Sequence, residues 1–447
     1  MKKICSSLLI SALTLCHQHN NAQTLLVPQN KQIDEKTTKA ILSCQKELVV
    51  HPGNTEAHFL LGNLWAECDE FEKALEEYDI VLSQNPNRSA ALYTSGFVFR
   101  SMGNFTKALQ MYDAFLSKNP DNRDGRQGRS HALLALGEFQ KAWPDFECRW
   151  TEQRPDSLAF TNYIRNHPNL AGKTVLLKGE LGFGDMFQFI RYAEKVKNSG
   201  AKVIVKIKKQ LVKIFSLCPY IDQVIDEQTP APPHELSTVI MSLPWAFDTN
   251  LDTIPKTTPY LKADTNLVKL WQSRLANKNI FKIGLCWHGN IYEGAYAKQL
   301  VADKSIPLNL LAPLASIGPI QFYSLQKTSG LDELKSLPDG FIVNTFNQEL
   351  DETHGAFMDT AAIMKNLDLV ITIDTSIAHL AGGLGVPVWT LLPAIADWRW
   401  LNQREDSPWY PTMRLFRQPK KGDWDSVVTE IKVALQKILA HKIGQGF

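Results

Sequence analysis

Between Leu367 and Pro393 the chain alternates apolar runs with small residues, in the order LDLVITIDTSIAHLAGGLGVPVWTLLP. A β-branched apolar run ends in Asp-Thr-Ser, and a run of small and apolar residues leads to a second apolar run. This order predicts a strand, a helix that begins at the strand's carboxyl end, and a second strand. Thr375, Ser376 and free backbone N–H groups would meet at the helix start, an arrangement that favours phosphate binding. The simpler alternative is that Asp374 and Thr375 only cap the helix.

The same alternation of short apolar runs and helical patterns covers the rest of the chain from Lys173. TVLLK, the glycine-rich turn GELGFGD, a helical run and KVIVKI form a βαβ pattern. Residues 253–264 contain two prolines and few large apolar side chains, which predicts a linker. A second alternating set begins at KIGLCW and includes a helix at 308–316 and a strand at 341–346. The pattern predicts two Rossmann-like domains that face each other across a cleft.

Residues 36–153 repeat with a period of 34. The repeat places alanine, proline and small residues at fixed positions: Ala40, Ala74, Ala108 and Ala142; Pro52, Pro86 and Pro120; Gly62, Gly96 and Ser130. The pattern resembles the tetratricopeptide repeat, in which small residues let two antiparallel helices pack closely and proline ends the second. Such a module holds a protein or peptide on its concave face; the alternative is a rigid spacer or a dimerisation element.

Composition argues against some classes of partner, and the N-terminal residues allow two interpretations of where the protein resides. Lys plus Arg (48) nearly balances Asp plus Glu (46), so no overall field favours nucleic acid or an anionic membrane. The seven cysteines lack metal-binding spacing, which predicts free thiols in a reducing compartment and no metal. Within residues 1–23, two lysines precede an apolar stretch that resembles a signal peptide but is too short to span a membrane. We expect a cytoplasmic protein, with export as the alternative.

The turn GELGFGD has two interpretations. Gly179, Gly182 and Gly184 could belong to a dinucleotide fingerprint, but their spacing is reversed relative to the usual one. The following strand also ends in lysines at 206–209 instead of an acidic residue that would bind a ribose. We therefore favour glycines that let the backbone approach a bound sugar or acceptor and place Asp185 beside it. The alternative is that Asp185 is the N-cap of the following helix.

Six stretches of the chain together resemble one enzyme family: GELGFGDMFQFIRY, IGLCWHGN, DKSIPL, YSLQK, DTAAIMKNLDLVITIDTSIAHLAGGLGVPVW and DWRWLNQREDSPWYPTMRLFRQPKKGDW. They resemble tetratricopeptide-containing glycosyltransferases related to the ADP-heptose:lipopolysaccharide heptosyltransferases. The resemblance implies a TPR solenoid followed by a GT-B fold of two Rossmann-like domains. It also implies an inverting, metal-independent hexosyl- or heptosyltransferase, without a cofactor, that moves a sugar from a nucleotide-sugar donor to a hydroxyl of a glycan or protein.

This resemblance also assigns domains. Residues 1–35 form an N-terminal segment, 36–153 the repeats, 154–264 the acceptor-side domain and 265–447 the nucleotide-sugar domain with a C-terminal helix. The repeats would dock a partner protein, a peptide or the acceptor. The alternative function is a catalytically inactive TPR scaffold with a vestigial sugar-nucleotide pocket.

The family's catalytic pair matches Asp185 and Lys304. Asp185 would act as the general base that takes the proton of the acceptor hydroxyl. Lys304, in DKSIPL, would face the departing diphosphate, where negative charge accumulates. Related sequences often carry Arg-Ser where this chain has Lys304-Ser305, and lysine keeps the charge but loses the bidentate geometry.

The remaining predicted site residues bind the donor or touch one of the substrates. Thr375, Ser376 and the N–H groups up to His379 match the loop that holds the diphosphate, and His379 either donates to a phosphate oxygen or locks the loop. The other predicted donor-binding residues are Gly182, Gly184, Asn290, Ser305 and Asp374. His288 and Gln188 are possible contacts to acceptor or donor.

Two motifs near the C-terminus have structural interpretations. The run Asp397-Trp398-Arg399-Trp400 could present a platform for stacking on a sugar, but burial in the core is the favoured prediction. Asp423-Trp424-Asp425 resembles a D-x-D metal motif and is predicted instead to cap the last helix.

Overall fold

A computed structural model describes residues 35–149, 155–275, 280–290, 301–346 and 349–444. The chain folds as two compact units, Met1–Thr151 and Glu152–Phe447. The signal-like stretch predicted at residues 1–23 lies outside the described residues. None of the helices in the described ranges is long and apolar enough to cross a membrane.

The first unit is built from helix pairs. Its α-helices within residues 35–149 are α1 (Glu35–Val50), α2 (Thr55–Glu67), α3 (Phe71–Gln84), α4 (Ser89–Ser101), α5 (Phe105–Lys118), α6 (Arg123–Ala135) and α7 (Phe139–Phe146). Helix α2 packs on α3, α4 on α5, and α6 on α7. A Cβ atom at Gly62 would lie 2.6 Å from Cε1 of Tyr78, and one at Gly96 would lie 3.0 Å from Cε1 of Tyr112. The repeating glycine therefore makes room for the partner helix's tyrosine, and the predicted helical repeat is confirmed.

The second unit begins with a parallel four-stranded sheet. Its strands are β1 (Thr174–Lys178), β2 (Lys202–Ile207), β3 (Gln223–Asp226) and β4 (Leu236–Val239), in the order β3-β2-β1-β4. Its α-helices are α8 (Pro155–Asn166), α9 (Phe183–Phe189), α10 (Tyr192–Asn198), α11 (Lys209–Phe215) and α12 (Leu243–Ala246). The chain runs from β1 to β2 on one side and returns to β4 on the other, so a crevice opens at the carboxyl end of β1.

A second parallel sheet follows. Its strands are β5 (Phe281–Cys286), β6 (Ile320–Ser324), β7 (Val343–Asn344), β8 (Leu369–Ile373), β9 (Val388–Leu392) and β10 (Met413–Arg417), in the order β10-β9-β8-β5-β6-β7. Its described α-helices are α13 (Thr265–Arg274), α14 (Met358–Met364), α15 (Ser376–Gly383) and α16 (Trp424–Gly444). Every residue of β8 and β9 is buried, as expected for strands covered on both faces. The strand order reverses between β5 and β8, which places a second crevice at their carboxyl ends.

The two parallel sheets confirm the predicted α/β class, with local differences. The helix predicted at 308–316 is a 3₁₀ helix, and Pro313 within it lacks the N–H that an α-helix would use. Of the strand predicted at 341–346, only β7 pairs with β6. Asp423 Oδ1 accepts the N–H of Ser426 at 3.1 Å, which confirms its capping role. Trp398 and Trp400 are buried, which confirms the core prediction for the tryptophan run.

Candidate functional site

Asp185 lies at the crevice beyond β1. The chain turns through Leu181, which has a positive φ of 60°, and enters α9 with Gly182 as the N-cap residue. Asp185 is the third residue of the helix, and its Oδ2 accepts the N–H of Gly182 at 2.9 Å. The alternative prediction of an N-cap aspartate is therefore wrong in detail, because the carboxylate reaches back to the cap from inside the first turn. Its side chain remains 21% exposed.

The predicted phosphate loop follows β8. Thr375 is the N-cap of α15, and its Oγ1 accepts the N–H of Ile377 at 3.3 Å. Ser376 opens the helix and is half-buried. Burial raises the pKa of Asp374; Lys304 opposes this rise, and the nearby Asp397 carboxylate adds to it. The turn thus combines a helix N-terminus with a carboxyl group whose charged form is disfavoured by burial.

Lys304 belongs to the same crevice, beside the end of β5. A Cβ atom at Gly289 would lie 3.3 Å from Lys304 Cε, so the lysine side chain passes over that glycine. Ser305 Oγ accepts the N–H of Gly289 at 3.2 Å and donates to Val301 O at 2.6 Å. Within the described ranges, the Lys304 ammonium forms no salt bridge with a carboxylate. Its charge acts on the Asp374 carboxyl, and an anion bound beside that turn would meet the same ammonium.

A glutamine that the sequence did not single out fixes the loop after β5. Gln326 Oε1 accepts the N–H of His288 at 3.1 Å, and Gln326 Nε2 donates to His288 O at 2.9 Å. Asn290 is exposed, and its Oδ1 accepts the hydroxyl of Thr328. Cys286 Sγ lies 3.8 Å from Thr375 Oγ1, which joins the ends of β5 and β8. His288, Asn290, Lys304 and Ser305 therefore share one side of the site with the Thr375 turn.

Helices α9 and α15 meet where the two crevices face each other. A Cβ atom at Gly184 would lie 2.9 Å from His379 Cδ2 and 3.6 Å from Ser376 Cα. The glycine thus permits close helix packing in addition to any approach by a ligand. The His379 side chain is only 6% exposed. Its ring stacks on Trp400 at 5.2 Å between centroids, and its Nδ1 lies 2.8 Å from Tyr410 Oη.

Two effects act on the pKa of the His379 imidazole. Burial first, and then the charge of Arg399, lower it well below the usual 6.5. Its Nε2 lies 3.9 Å from Asp374 Oδ1. Packing on two aromatic rings favours the hypothesis that His379 locks the loop over the hypothesis that it donates to a phosphate oxygen.

Arg399 links α9 to the turn after β9. The sequence did not single it out, because the neighbouring tryptophans gave the stronger pattern. Its guanidinium forms an ion pair with Asp185 Oδ1, donates to Gln188 Oε1 at 2.7 Å, and donates to Asp397 Oδ1 at 2.8 Å. Gln188, predicted as a possible contact to donor or acceptor, is fully buried beneath this arginine. Positions 185 and 188 share the face of α9 that meets Arg399, and a contact of Gln188 with donor or acceptor stays a prediction. An arginine inside a buried tryptophan run was the signal, since such a charge requires partners.

A second buried arginine fastens the same region. Arg191 is 2% exposed and donates to Gln188 O at 2.7 Å, to Trp409 O at 2.7 Å and to Tyr260 Oη at 2.8 Å. Its guanidinium also lies over the ring of Tyr260, 4.4 Å from the centroid. Arg191 therefore joins α9 to residues of the linker and the second sheet through neutral oxygens and aromatic faces.

Comparison with known proteins gives partial similarities. No protein-family model matches the chain. Among curated proteins it is similar to Protein FlbA of Caulobacter vibrioides, with 26% identity over 190 residues, 42% of this chain and 31% of FlbA. The chain therefore spans about a third of the length of this curated relative.

Three solved structures are similar to parts of this chain. A glycosyl transferase family 9 protein from Veillonella parvula is similar at 15% identity and a TM-score of 0.42, over 60% of this chain and 90% of that one. MamA is similar at 26% identity and a TM-score of 0.25, over 26% of this chain and 67% of that one. A tetratricopeptide repeat protein from Parabacteroides merdae is similar at 25% identity and a TM-score of 0.25, over 29% of this chain and 52% of that one. The fold assignment itself rests on the helices and parallel sheets described above.

Proposed function

We propose that the second unit is an inverting, metal-independent glycosyltransferase that moves a sugar from a nucleotide-sugar donor to a hydroxyl of a glycan or protein. The observation that carries this proposal is Lys304, whose ammonium forms no salt bridge among the described residues and acts on Asp374 beside the N-terminus of α15. A diphosphate would meet Lys304, Ser305 and the first turn of α15, with Asp374 orienting the loop and the sugar. The lysine and the helix end would supply the positive charge that a metal supplies elsewhere.

Asp185 would serve as the base. Its carboxylate takes the proton of the acceptor hydroxyl while the acceptor oxygen attacks the anomeric carbon of the donor. The bond from that carbon to the diphosphate oxygen breaks, and its electron pair leaves with the diphosphate toward Lys304. Attack and departure occur on opposite faces of the sugar, so the configuration at the anomeric carbon inverts.

A thermal-shift panel of ADP-, GDP-, UDP- and dTDP-sugars tests donor binding. A ligand at one hundred times its Kd adds about 2.7 kcal/mol to the free energy of unfolding, which is readily measured. We expect at least one donor to stabilise the protein, and the shift to persist when EDTA is present. Lys304→Ala should reduce the shift, whereas Lys269→Ala, at an exposed position on α13, should not. A panel in which no nucleotide sugar stabilises the protein would count against the proposal.

The alternative function is a scaffold that retains the pocket and lacks turnover. It is favoured by one observation: both oxygens of Asp185 already accept a hydrogen bond, one from Gly182 and one from Arg399. A carboxylate offers about four lone-pair sites, so each oxygen can still accept another proton donor. Release of nucleoside diphosphate from a bound donor, in the presence of a panel of glycans and hydroxyl-bearing peptides, separates the two functions, because a scaffold would bind the donor and release none with any acceptor.

The repeat unit would dock the macromolecular acceptor or a partner protein, and the second unit would act in the cytoplasm, where nucleotide sugars are made. Stacked helix pairs present an extended surface suited to a protein or peptide. A docking role predicts that changes on this surface raise the KM for a macromolecular acceptor and leave the KM for a small acceptor unchanged. A rigid-spacer role predicts no change in either.

A further inference from the structure

Arg399 is the point at which residues of both sheets meet a single side chain. It lies in the 3₁₀ turn Trp398–Trp400 after β9 and is 8% exposed. Its Nε is fixed by Gln188 Oε1, one terminal nitrogen by Asp397 Oδ1, and the other by Asp185 Oδ1. A planar guanidinium held by three hydrogen bonds has one orientation. Because its N–H groups point in fixed directions, the guanidinium also restricts the orientation of the side chains that accept those hydrogen bonds.

The effect on Asp185 is specific. Oδ2 accepts the N–H of Gly182 at 2.9 Å, and Oδ1 accepts from Arg399. With both oxygens held, the plane of the carboxylate is fixed relative to α9 and to the turn that follows β9. The lone pairs that remain on those oxygens then have defined directions, which a proton acceptor in catalysis requires.

Arg191 already provides cohesion between the same parts of the unit. It reaches Gln188 O, Trp409 O and Tyr260 Oη and contacts no carboxylate among the described residues. Arg399 differs in that its partners are mainly carboxylates, and burial, which lowers its pKa, is more than offset by Asp397 and then Asp185. Arg191 thus binds backbone carbonyls and aromatic side chains, whereas Arg399 binds the carboxylate of Asp185.

We propose that Arg399 is a positioning residue for the transfer reaction, which holds the Asp185 carboxylate in the orientation needed to accept the acceptor proton. This inference rests on the proposed function, in which Asp185 is the base. In this role Arg399 acts through Asp185, with its three donor nitrogens occupied by Gln188, Asp397 and Asp185. Its removal should therefore lower kcat and leave the affinity for the donor unchanged.

The test compares Arg399→Ala and Arg399→Lys with Arg417→Ala in the full chain. Arg417 is a matched control, because it supports the same turn by donating to Leu401 O at 2.9 Å and makes no described contact with Asp185. The probe is the nucleotide sugar that gives the largest thermal shift, paired with the acceptor that gives the fastest nucleoside diphosphate release in wild type, and that release gives kcat. We expect Arg399→Ala to lower kcat about 100-fold, the usual effect of a misplaced group, with donor Kd within about twofold of wild type. Arg417→Ala should lose stability with kcat within about threefold of wild type.

Chemical rescue separates positioning from a structural role. Guanidinium chloride well below unfolding concentrations should restore kcat of Arg399→Ala about tenfold or more, whereas sodium chloride at equal ionic strength should not. If Arg399→Ala does not fold, Arg399→Lys carries the test, because lysine cannot hold three partners at once. Its kcat should fall about tenfold with donor affinity unchanged.

Two results overturn the inference, and they differ from failure of the proposed function. A kcat of Arg399→Ala or Arg399→Lys equal to wild type, or an equal fall in Arg417→Ala, rejects the role of Arg399 alone. A wild type that releases no nucleoside diphosphate from any donor with any acceptor of the panel rejects the proposed function, and the role of Arg399 with it.

Discussion

Replacing Gly184 with alanine should strain the contact between the two helices of the site. The new Cβ would lie 2.9 Å from His379 Cδ2, closer than real Cβ contacts come. The imidazole cannot retreat freely, because it stacks on Trp400 at 5.2 Å and its Nδ1 lies 2.8 Å from Tyr410 Oη. The added methyl group must therefore push α9 away from α15 or displace the ring.

Two opposing terms set the size of the effect. Overpacking a well-filled interior costs about 1 to 3 kcal/mol. Alanine in place of glycine within a helix regains about 0.5 to 1 kcal/mol. The midpoints of these two ranges differ by about 1.3 kcal/mol, so we expect Gly184→Ala to lower the free energy of unfolding by about that amount, roughly a tenfold change in the folded to unfolded ratio.

Urea unfolding of the full chain measures this loss. Gly53→Ala is the matched control, because a Cβ there meets nothing within 4 Å, and it should cost little. A double-mutant cycle with His379→Ala identifies the cause, since the cost of Gly184→Ala should largely vanish once the ring is gone. If Gly184→Ala is as stable as wild type, or costs the same without the ring, the close packing described here is not the reason for the glycine.

Three further predictions concern protonation, catalysis and compartment. Burial and then the charge of Arg399 hold the pKa of His379 well below 6.5 in the folded chain. As the pH falls through 6.5, His379 therefore becomes protonated in the unfolded chain and stays neutral in the folded chain, which favours unfolding. Between pH 7 and 5.5 wild type should lose about 1 kcal/mol more stability in urea unfolding than His379→Gln; an equal loss would show a charged histidine. Asp185→Asn should lower nucleoside diphosphate release about 100- to 10,000-fold with donor affinity retained, and near-normal release would reject Asp185 as the base. A C-terminally tagged protein should fractionate with the cytosol; an exported form alone would oppose a nucleotide-sugar enzyme.

Local sequence signals predicted the elements that need no distant partner. The Asp-Thr-Ser after an apolar run marked the end of β8 and the start of α15, because strand and cap preferences act over a few residues. The 34-residue spacing indicated the helix pairs, because Gly62 and Gly96 each pack against a tyrosine of the next helix. These features depend on sequence neighbours, and the structure confirms them.

Contacts between distant residues were the part that the sequence could not supply. Asp185 and Arg399 are 214 positions apart, and the Gln188 side chain accepts a hydrogen bond from the same arginine. His379 could be a phosphate ligand or a locking residue until Trp400 and Tyr410 are placed around it. No spacing rule predicts which side chains meet when two separately formed sheets pack together.

Calorimetric titration of a nucleotide sugar into wild type and Lys304→Ala tests whether the diphosphate binds beside Lys304. We expect one donor site per chain in wild type. Binding to Lys304→Ala should be about ten- to hundredfold weaker, because hydrogen bonds to charged groups contribute about 1.5 to 3 kcal/mol. Absence of binding by wild type to every donor in the panel, or equal affinity of the two proteins, would contradict a diphosphate site at the crevice between β5 and β8.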